Sequence, residues 1–582
     1  MPKLEMNAVN AKISAPPKLA QNTLRVVPLG GLGDVGRNMS AIEFIDPIGG
    51  GEPKILLIDC GVLFPGDNEP GVDQILPDFS YISDRLDRVQ ALVVTHGHED
   101  HIGAIPYLLK LCPDIPIVGS KFTLELIRRK TADNGAFCEV KEGAEVRYGP
   151  FLLQFIAVNH SIPDALAVFV KTAAGNILNT GDFKMDQLPV DGRLTDLRTL
   201  ADIGREGVDL FMVDSTNALN SGFVTSEAQI EVELDQIIER ITEGCIFVST
   251  FASHIHRVSH IFKIAQKHKR KVVLLGRTMV NNIAIAVKLG LLDDVSDVLI
   301  EEKNLSKVNR NKLIVVCTGS QGEFRAVLNR LSMCEYPLIS INSADTVILA
   351  SSLIPGKEKE VIKLTNRILT LGANVVSSKT AKVHCSGHAN QGELRIVYNV
   401  VQPKNVLPIH GEVQHLLANA AVAHSCRIPH ENIAIVKDGG IVDISNGKAQ
   451  VVGRIENGYI FVDGKSVGEV SDSHLKQRKT LGEEGFIAIT VTVDLALQKV
   501  VTTPKISVIA VAEDLSVFAK LPKKIKKELT ASMEENHNIT VHKLTKIVRR
   551  TVGHYVGRVL KRSPMILPLV STINKLTDSS ED

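Results

Sequence analysis

Long apolar runs are missing from this sequence, and so is the layout of a signal peptide. No stretch reaches the roughly eighteen uncharged apolar residues that a membrane span needs. Residues 1–22 are polar and contain Pro16 and Pro17 instead of a basic segment followed by an apolar one. The eight cysteines are scattered without a Cys-x-x-Cys pair, so a disulfide framework is not expected. We therefore expect a cytoplasmic protein without a membrane anchor.

A strong net charge is also missing. The 582 residues carry 66 Lys and Arg against 65 Asp and Glu, which by itself says nothing about a polyanionic partner. The distribution is uneven, because residues 516–562 contain twelve Lys or Arg and three Glu. That segment can contact phosphates or can simply be solvated. The overall composition, 44% hydrophobic and 23% charged, is that of a globular protein with roughly two to four domains.

Potential metal ligands crowd into one short turn. A β-like run at 91–94 leads into it, and residues 102–109 then space their apolar side chains as a helix does. The turn offers four ligand side chains within six positions, namely His96, His98, Asp100 and His101. The first two can converge on one cation while the last two point to a second. A polar loop without metal is the alternative, but four ligands so close together are typical of a metal site.

The ligand types indicate which metal and which chemistry to expect. Imidazole and carboxylate groups without thiolate favour zinc, with manganese, magnesium or iron as alternatives. Two divalent ions about 3.5 to 4 Å apart lower the pKa of a bridging water and prepare it for attack. We therefore predict a hydrolytic site with two Zn²⁺ per chain.

A glycine-rich segment near the N-terminus imitates a cofactor motif. Gly31, Gly33 and Gly36 have the GxGxxG spacing of dinucleotide-binding loops. That motif requires a helix to begin at the glycines, whereas residues 39–44 alternate like a second strand. A glycine-rich β-hairpin is the better interpretation.

Three further polar residues follow strand-like runs: Asp59, His160 and Asp182. Each has a structural alternative, as a cap, a buried structural histidine or a turn residue. Asp59 is also placed to fix the tautomer of a ligand histidine. Strand-end side chains that recur around the His-rich turn are what a metal site at a sheet edge needs.

These motifs resemble the metallo-β-lactamase superfamily. The resemblance implies an α/β fold, an αββα sandwich with the metals at one edge of its two sheets. It also implies that one metal is held by His96, His98 and His160, and the other by Asp100 and His101, with Asp182 bridging.

A long insertion narrows the resemblance to the β-CASP nucleases. Residues 217–378 alternate apolar runs with helical patterns, as expected for a parallel sheet with helices around it. Around this insertion, Asp214, His388 and His410 match the further motifs of that branch. The match implies that His410 completes the second metal site and that His388 lies beside the scissile phosphate. We predict His388 as proton donor, Asp214 as its orienting carboxylate, and Asp59 as an accessory catalytic residue.

Within that branch the sequence resembles the bacterial ribonuclease J family over residues 24 to about 570. The finer marks are PLGGLGDVGRNM, FASHIHR at 251–257, TGSQGE at 318–323, HCSGHA at 384–389, HGE at 410–412 and RSPMILPLV at 562–570. The resemblance implies that His384 and Ser386, with backbone N–H groups near Gly387, hold an RNA phosphate. It implies a pocket for the terminal 5′ phosphate lined by Ser253, Gly319, Ser320 and Gln321. Beside that pocket the family usually has Asn and Pro where this chain has His254 and Phe324.

The domain prediction follows these motifs and the change in pattern after residue 447. In chain order it comprises a disordered tail (1–22), a metallo-β-lactamase domain in two parts (23–216 and 379–447), an inserted β-CASP α/β domain (217–378), a linker (448–484) and a small C-terminal α+β domain (485–582). The last of these is the region expected to promote a homodimer or homotetramer.

The predicted function is that of a zinc-dependent ribonuclease with 5′-to-3′ exonuclease and endonuclease activity. Its substrate would be single-stranded RNA, preferably 5′-monophosphorylated, in mRNA decay and RNA maturation, with partners in an RNA-degradation complex. The alternatives are a small-molecule metallo-hydrolase of the same fold and a non-catalytic RNA-binding scaffold.

Overall fold

The computed structural model describes residues 16–46, 51–293, 295–323, 325–351 and 357–573. Phe324 and most of the predicted N-terminal tail lie outside the described residues, while Leu19 at the end of that tail is buried. The chain divides into two compact units, Met1–Phe64 with Ile75–Ile460, and Pro65–Gln74 with Phe461–Asp582.

The strands are, in chain order, β1 (Leu24–Gly30), β2 (Met39–Ile45), β3 (Pro53–Ile58), β4 (Gln74–Leu76), β5 (Val89–Val93), β6 (Pro116–Gly119), β7 (Ala136–Glu139), β8 (Glu145–Tyr148), β9 (Phe151–Ala157), β10 (Leu166–Thr172), β11 (Gly175–Asn179), β12 (Leu210–Asp214), β13 (Ile246–Ser249), β14 (Lys271–Leu275), β15 (Leu299–Ile300), β16 (Leu313–Cys317), β17 (Thr346–Leu349), β18 (Asn374–Val376), β19 (Val406–Ile409), β20 (Gly440–Ser445), β21 (Lys448–Arg454), β22 (Ile460–Asp463), β23 (Ser466–Val467), β24 (Phe486–Asp494), β25 (Lys499–Val500), β26 (Lys505–Ile509) and β27 (Met565–Thr572). The helices are α1 (Ser80–Ser83), α2 (Glu99–Ile102), α3 (Ile105–Leu111), α4 (Lys121–Lys130), α5 (Leu197–Glu206), α6 (Glu227–Arg240), α7 (Ile255–Lys267), α8 (Arg277–Lys288), α9 (Val327–Ser332), α10 (Glu358–Thr370), α11 (Gln391–Val401), α12 (Val413–Ser425), α13 (Asp472–Glu484), α14 (Leu521–Glu535) and α15 (Val541–Val559).

Two facing sheets form the αββα sandwich of the first unit, as predicted. The first sheet has the order β21-β20-β1-β2-β3-β5-β6-β7 and the second the order β19-β12-β11-β10-β9-β8. One apolar core fills the space between them, since Val26 and Ile42 of the first sheet share a buried cluster with Phe155 and Phe211 of the second. Helix α4 packs on β6 and β7, and α12 packs on β19.

The glycine-rich N-terminal segment is the turn of a hairpin. Strands β1 and β2 pair antiparallel on either side of it, which confirms the hairpin interpretation over a dinucleotide-binding loop. The turn reaches the strand-end loop after β19, where Gly33 N–H donates to Gly411 O and Gly411 N–H donates to Gly31 O. The hairpin therefore supports the edge of the sandwich that carries His410.

The inserted region between β12 and β19 folds around a sheet of its own. Its order is β15-β14-β16-β13-β17-β18, and every pair is parallel. The strands are mostly apolar because helices cover the sheet, as α7 and α8 do at β14. Strands β12 and β19 themselves pair in parallel, so the insertion leaves and returns at neighbouring positions of the sandwich.

The second unit is a small α+β arrangement. Strand β24 pairs with β25 and β26 antiparallel and with β27 in parallel. Helices α14 and α15 bury one face each against this sheet, where Ile525 and Val548 share a cluster with Ile489. The segment 448–484, predicted as a linker, contains β21 on the edge of the first sheet as well as β22, β23 and α13.

Two predictions about the chain as a whole can be compared with the structure. All eight cysteines are free, as expected, and Cys60, Cys245, Cys317 and Cys385 are buried. Among the helices in the described ranges, none has the length and apolar character needed to cross a bilayer.

Candidate metal centre and active site

Polar side chains gather at one edge of the sandwich because several strands end there. In the first sheet β3 and β5 run parallel, and in the second sheet β11, β12 and β19 run parallel. Strand β9 points the same way as β11, since each pairs antiparallel with β10. The residues at or just beyond these strand ends are Asp59, His96, His98, His160, Asp182, Asp214 and His410.

A first group of ligand atoms consists of His96, His98, His160 and Asp182. His98 Nδ1 lies 3.0 Å from His96 Nε2 and 3.0 Å from His160 Nε2. Asp182 Oδ2 lies 3.6 Å from His96 Nε2 and 3.7 Å from His160 Nε2. Ligand atoms around a tetrahedral zinc ion are about 3.3 Å apart, given metal–ligand distances near 2 Å. The four atoms therefore fit one divalent cation.

A second group shares Asp182 with the first and adds Asp100, His101 and His410. Asp182 Oδ2 lies 3.2 Å from His101 Nε2, and its Oδ1 lies 2.7 Å from His410 Nδ1. Asp100 Oδ2 lies 3.5 Å from His101 Nε2 and 3.4 Å from His410 Nε2. One carboxylate thus faces both groups, which is the arrangement of two neighbouring metals with a bridging ligand.

Hydrogen bonds behind the ligands select which ring nitrogen faces the metals. His101 Nδ1 donates to Asp59 Oδ2 at 2.9 Å, and His160 Nδ1 donates to Gly387 O at 2.7 Å. The Asp59 carboxylate is itself held by Thr95, whose backbone N–H donates to Oδ1 at 2.8 Å. Such partners leave Nε2 of each imidazole free for a metal. Asp59 thus lies where it can fix the tautomer of a ligand histidine, which is the role predicted for it from the sequence.

Asn38 lies beside the second group and was not predicted from the sequence. Its Nδ2 lies 3.0 Å from His101 Nε2 and 3.2 Å from Asp100 O. The backbone of Gly61 also packs tightly against that of Asp100, because a Cβ added at Gly61 would lie 1.5 Å from Asp100 O. The position of Asn38 directly after the glycine-rich turn is the signal that could have identified it.

The histidines of the first group and the bridging carboxylate have pKa values shifted towards the forms that bind metal. Burial lowers the pKa of His96 and His160 well below its usual value and lowers that of His98 to about 4. Burial alone would raise the pKa of Asp182, but His410, His101 and His388 outweigh it and lower that pKa. Neutral imidazoles and an ionised bridging carboxylate are the forms in which these groups ligate. In the second group burial would lower the pKa of His101 and His410, but Asp182 and Asp100 outweigh it and raise both, that of His410 to about 10, so these two rings must release a proton when they bind a metal.

His388 and Asp214 form a hydrogen-bonded pair beside Asp182 and His410. His388 Nδ1 lies 2.8 Å from Asp214 Oδ2 and 3.9 Å from Asp182 Oδ2. Burial would lower the pKa of His388, but Asp214 and Asp182 outweigh it and raise that pKa. Asp214 is fixed in turn by Thr216, whose backbone N–H and Oγ1 donate to Oδ1. The geometry suits an imidazolium that gives up its proton.

The segment 384–388 joins this pair to the first metal group. His384 is half-buried, and neither of its ring nitrogens has a hydrogen-bond partner among the residues that the structure describes. Gly387 packs against a ligand so closely that an added Cβ would lie 2.8 Å from His160 Cε1. Ser386 Oγ accepts from His388 N–H at 3.1 Å. These predicted phosphate-binding residues therefore lie directly beside the metal edge.

The predicted 5′-phosphate pocket lies at the carboxyl edge of the inserted sheet. Strands β13, β16 and β17 end in register, with Ser249 opposite Cys317 and Leu349. The loops that carry Ser253, Gly319, Ser320 and Gln321 begin at this edge. Ser351 was not predicted, yet its Oγ donates to Ser320 Oγ at 2.6 Å and accepts from Gln321 Nε2 at 3.1 Å. Ser351 belongs to the same cluster as the predicted residues, and the phosphate pocket itself stays a prediction.

His254, one of the two departures from the family pattern, is an interior residue. It is the N-cap of α7, and its Nδ1 accepts from Arg257 N–H at 3.4 Å. Its Nε2 lies 3.2 Å from Glu227 Oε1, and its ring centre lies 6.5 Å from that of His384. The second departure, Phe324, falls outside the described residues.

Fold and site together define a metallo-hydrolase of the metallo-β-lactamase superfamily with a β-CASP insertion. The sequence matches four family models, described as Metallo-beta-lactamase superfamily (residues 45–221), Ribonuclease J, beta-CASP domain (243–368), Zn-dependent metallo-hydrolase RNA specificity domain (375–430) and Ribonuclease J C-terminal domain (473–573). The chain belongs to the ribonuclease J family.

Its similarity to curated members of that family extends over nearly the whole chain. Ribonuclease J of Mycolicibacterium smegmatis is 44% identical over 569 residues, which cover 97% of this chain and 100% of the relative. Ribonuclease J of Mycobacterium tuberculosis is 43% identical over 565 residues, with 97% and 100% covered. Ribonuclease J of Thermus thermophilus is 36% identical over 567 residues, with 94% and 95% covered.

Proposed function

We propose that this protein is a zinc-dependent ribonuclease that degrades single-stranded RNA from its 5′ end and also cuts internally. The observation that carries the proposal is the sharing of Asp182 by two ligand groups beside the His388–Asp214 pair. Two metal positions next to a proton donor are the requirements for hydrolysis of a phosphodiester. The expected setting is mRNA decay and RNA maturation in the cytoplasm.

The distances above support two ligand sets. One zinc ion would be held by His96, His98 and His160, and the other by Asp100, His101 and His410, with Asp182 available to both. When bound, the two ions lower the pKa of a water and neutralise charge on the phosphate. Manganese and magnesium are the alternatives, because the set contains no thiolate that would demand a softer metal.

The protein's own groups supply the remaining chemistry. His384, Ser386 and the backbone N–H near Gly387 bind the scissile phosphate, and a neutral His384 offers one N–H to it. The His388 imidazolium donates its proton to the departing 3′ oxygen, while Asp214 holds the ring at Nδ1. Asp59 keeps His101 in the tautomer that presents Nε2.

Recognition of the 5′ end is assigned to the inserted domain. Ser253, Gly319, Ser320 and Gln321 lie on loops at the carboxyl edge of a parallel sheet, where ligands of α/β folds commonly bind. A terminal monophosphate held there would present the first internucleotide phosphate to the metal edge. The proposed substrate is therefore 5′-monophosphorylated RNA.

Assembly and partners form a separate part of the proposal. We assign the contact of a homodimer or homotetramer to residues 485–582, and we keep the predicted boundaries of the metallo-β-lactamase, β-CASP and C-terminal domains. Other proteins of RNA degradation are the expected partners.

The test is the product pattern of purified protein on one RNA that carries a 5′ hydroxyl, monophosphate or triphosphate. We expect about two zinc ions per chain by mass spectrometry and mononucleotides from the monophosphorylated RNA. Asp100→Ala and His101→Ala should abolish cleavage while RNA binding is retained. Intact RNA with metal-loaded wild type would reject the proposal, and turnover of a β-lactam or thioester instead would favour the small-molecule alternative. Cleavage at the wild-type rate by both Asp100→Ala and His101→Ala would contradict the assignment of these residues as metal ligands.

A further inference from the structure

A group of charged side chains is buried away from the metals, between the sandwich and the inserted sheet. Arg257 of α7 is 0% exposed and Glu227 at the start of α6 is 3% exposed. Arg257 Nη2 and Nε lie 3.0 and 3.3 Å from Glu227 Oε2. Lys184, only two positions after the bridging Asp182, lies 3.8 Å from Glu227 Oε1. Buried ion pairs contribute little net stability, so their geometry is the more informative property.

The second terminal nitrogen of Arg257 bridges two backbone segments. Arg257 Nη1 donates to Val383 O at 2.6 Å and to Ala350 O at 3.2 Å. Val383 immediately precedes His384, and Ala350 immediately precedes Ser351. One planar group therefore connects the loop proposed for the scissile phosphate with the serine cluster proposed for the 5′ phosphate.

Glu227 contacts the scissile-phosphate loop at Cys385, the residue after His384, whereas Arg257 contacts it at Val383, the residue before. The Cys385 thiol donates to Glu227 Oε1 at 2.9 Å. Burial raises the pKa of Cys385 to about 12, and the neighbouring Glu227 adds to that rise, so the thiol keeps its proton. The His384 ring has no hydrogen-bond partner of its own among the described residues, so its neighbours in the chain determine where it lies.

We propose that the Glu227–Arg257 pair sets the distance between the 5′-phosphate pocket and the metal edge, and thereby the number of nucleotides released in each exonucleolytic step. This inference rests on the proposed function. The pair touches no reacting atom, so both members are positioning residues that act through the loops at 350–351 and 383–385. A rigid link of this kind fixes how many nucleotides lie between the bound 5′ end and the phosphate that is cleaved.

Arg257→Lys is the variant that tests the link. Lysine keeps the charge, but a single ammonium lacks the planar set of donors that reaches the carboxylate and both carbonyls. We expect dinucleotides and longer products from 5′-labelled monophosphorylated RNA where wild type releases mononucleotides. The kcat/KM ratio of 5′-monophosphorylated to 5′-hydroxyl RNA should also fall about tenfold, the effect of one hydrogen bond to a charged group.

Both readouts are ratios, so a loss of folded enzyme alone would not change them. Arg310→Lys is the matched control, because Arg310 pairs with a buried carboxylate of the same domain, Asp345, at 2.9 Å from its Nε and without contact to the two loops. It should lower the melting temperature and leave product size and the 5′-phosphate preference unchanged.

A milder pair of variants serves if Arg257→Lys does not fold. Cys385→Ala removes one donor to Glu227 and should shift both readouts in the same direction by a smaller factor, whereas Cys385→Ser keeps a donor and should restore them. Wild-type product sizes and an unchanged 5′-phosphate preference in Arg257→Lys, or in Cys385→Ala if only that variant folds, would overturn the inference. Wild type that releases no mononucleotides would instead reject the proposed function.

Discussion

Asp59 can be changed without removing any ligand atom, and the consequence should fall on the second metal position. Its Oδ2 accepts from His101 Nδ1 at 2.9 Å and its Oδ1 accepts from the Thr95 backbone N–H at 2.8 Å. In Asp59→Asn the amide oxygen can serve only one of these donors. If Thr95 keeps it, an NH₂ group faces His101 Nδ1 and drives the proton to Nε2, the atom that faces Asp182.

The size of the effect follows from the loss of this supporting hydrogen bond. Removing the partner of a ligand histidine typically weakens metal binding about 10- to 100-fold. That corresponds to about 1.4 to 2.8 kcal/mol at the second position. The first position should be affected less, because His96 is linked to Asp59 through the Thr95 hydroxyl and not by a direct hydrogen bond. Cleavage at limiting zinc should fall in proportion to the loss of the second ion.

The assay is a zinc titration against a coloured chelator, which separates two binding steps of different affinity. Asp443→Asn is the matched control, since that carboxylate accepts from Arg25 at 2.7 and 2.8 Å and contacts no histidine. It should bind both ions as wild type does. Wild-type affinity at both steps in Asp59→Asn would refute the tautomer argument.

Three further predictions concern the neighbouring residues. Gly387→Ala places a Cβ 2.8 Å from His160 Cε1 and should lower zinc occupancy and RNA cleavage at least about tenfold. Metal analysis and initial rates measure the two effects. The control Gly482→Ala has open space around its added Cβ and should change neither. His388→Gln should reduce kcat about 10²- to 10⁴-fold and change the Kd for uncleaved RNA by less than about threefold, measured by rapid-quench kinetics and fluorescence anisotropy; an unchanged kcat would exclude His388 as proton donor. Burial lowers the pKa of His254 to about 4, whereas an unfolded histidine titrates near 6.5. The unfolded state therefore takes up a proton first as the pH falls. Up to about 3 kcal/mol of the free energy of unfolding should be lost between pH 6.5 and 4. His254→Asn keeps an N-cap and should flatten that loss in urea unfolding at pH 7 and pH 5; an equal slope in both proteins would contradict it.

The sequence predicted those site residues that belong to a recognisable local pattern. Polar residues directly after apolar strand-like runs, such as Asp182 and His410, indicate a sheet edge because parallel strands end together. The hairpin at Gly31 was accessible for a similar reason, since the residues after it alternate as a strand does. These signals need no information about distant parts of the chain.

The residues that escaped prediction depend on partners far away in sequence. Arg257 ends the FASHIHR motif, but its role was not predicted, because that role depends on its hydrogen bond to Val383, 126 positions later. Ser351 is a single polar residue whose contacts with Ser320 and Gln321 exist only after folding. Strand β21 falls in the predicted linker because residues 448–484 are rich in Gly, Val and charged residues, yet its backbone pairs with β20 at the edge of the first sheet.

The order in which the metal edge is synthesised has a consequence for when activity can begin. His101 and His410 face the same carboxylate, but about 300 positions separate them, with the whole inserted domain between. At about 5–20 residues per second, the second metal position stays incomplete for roughly 15 s to 1 min after its first histidine is made. A growing chain therefore lacks the complete centre until residue 410 has been made. The split arrangement delays the onset of RNA cleavage until the whole inserted domain has been synthesised.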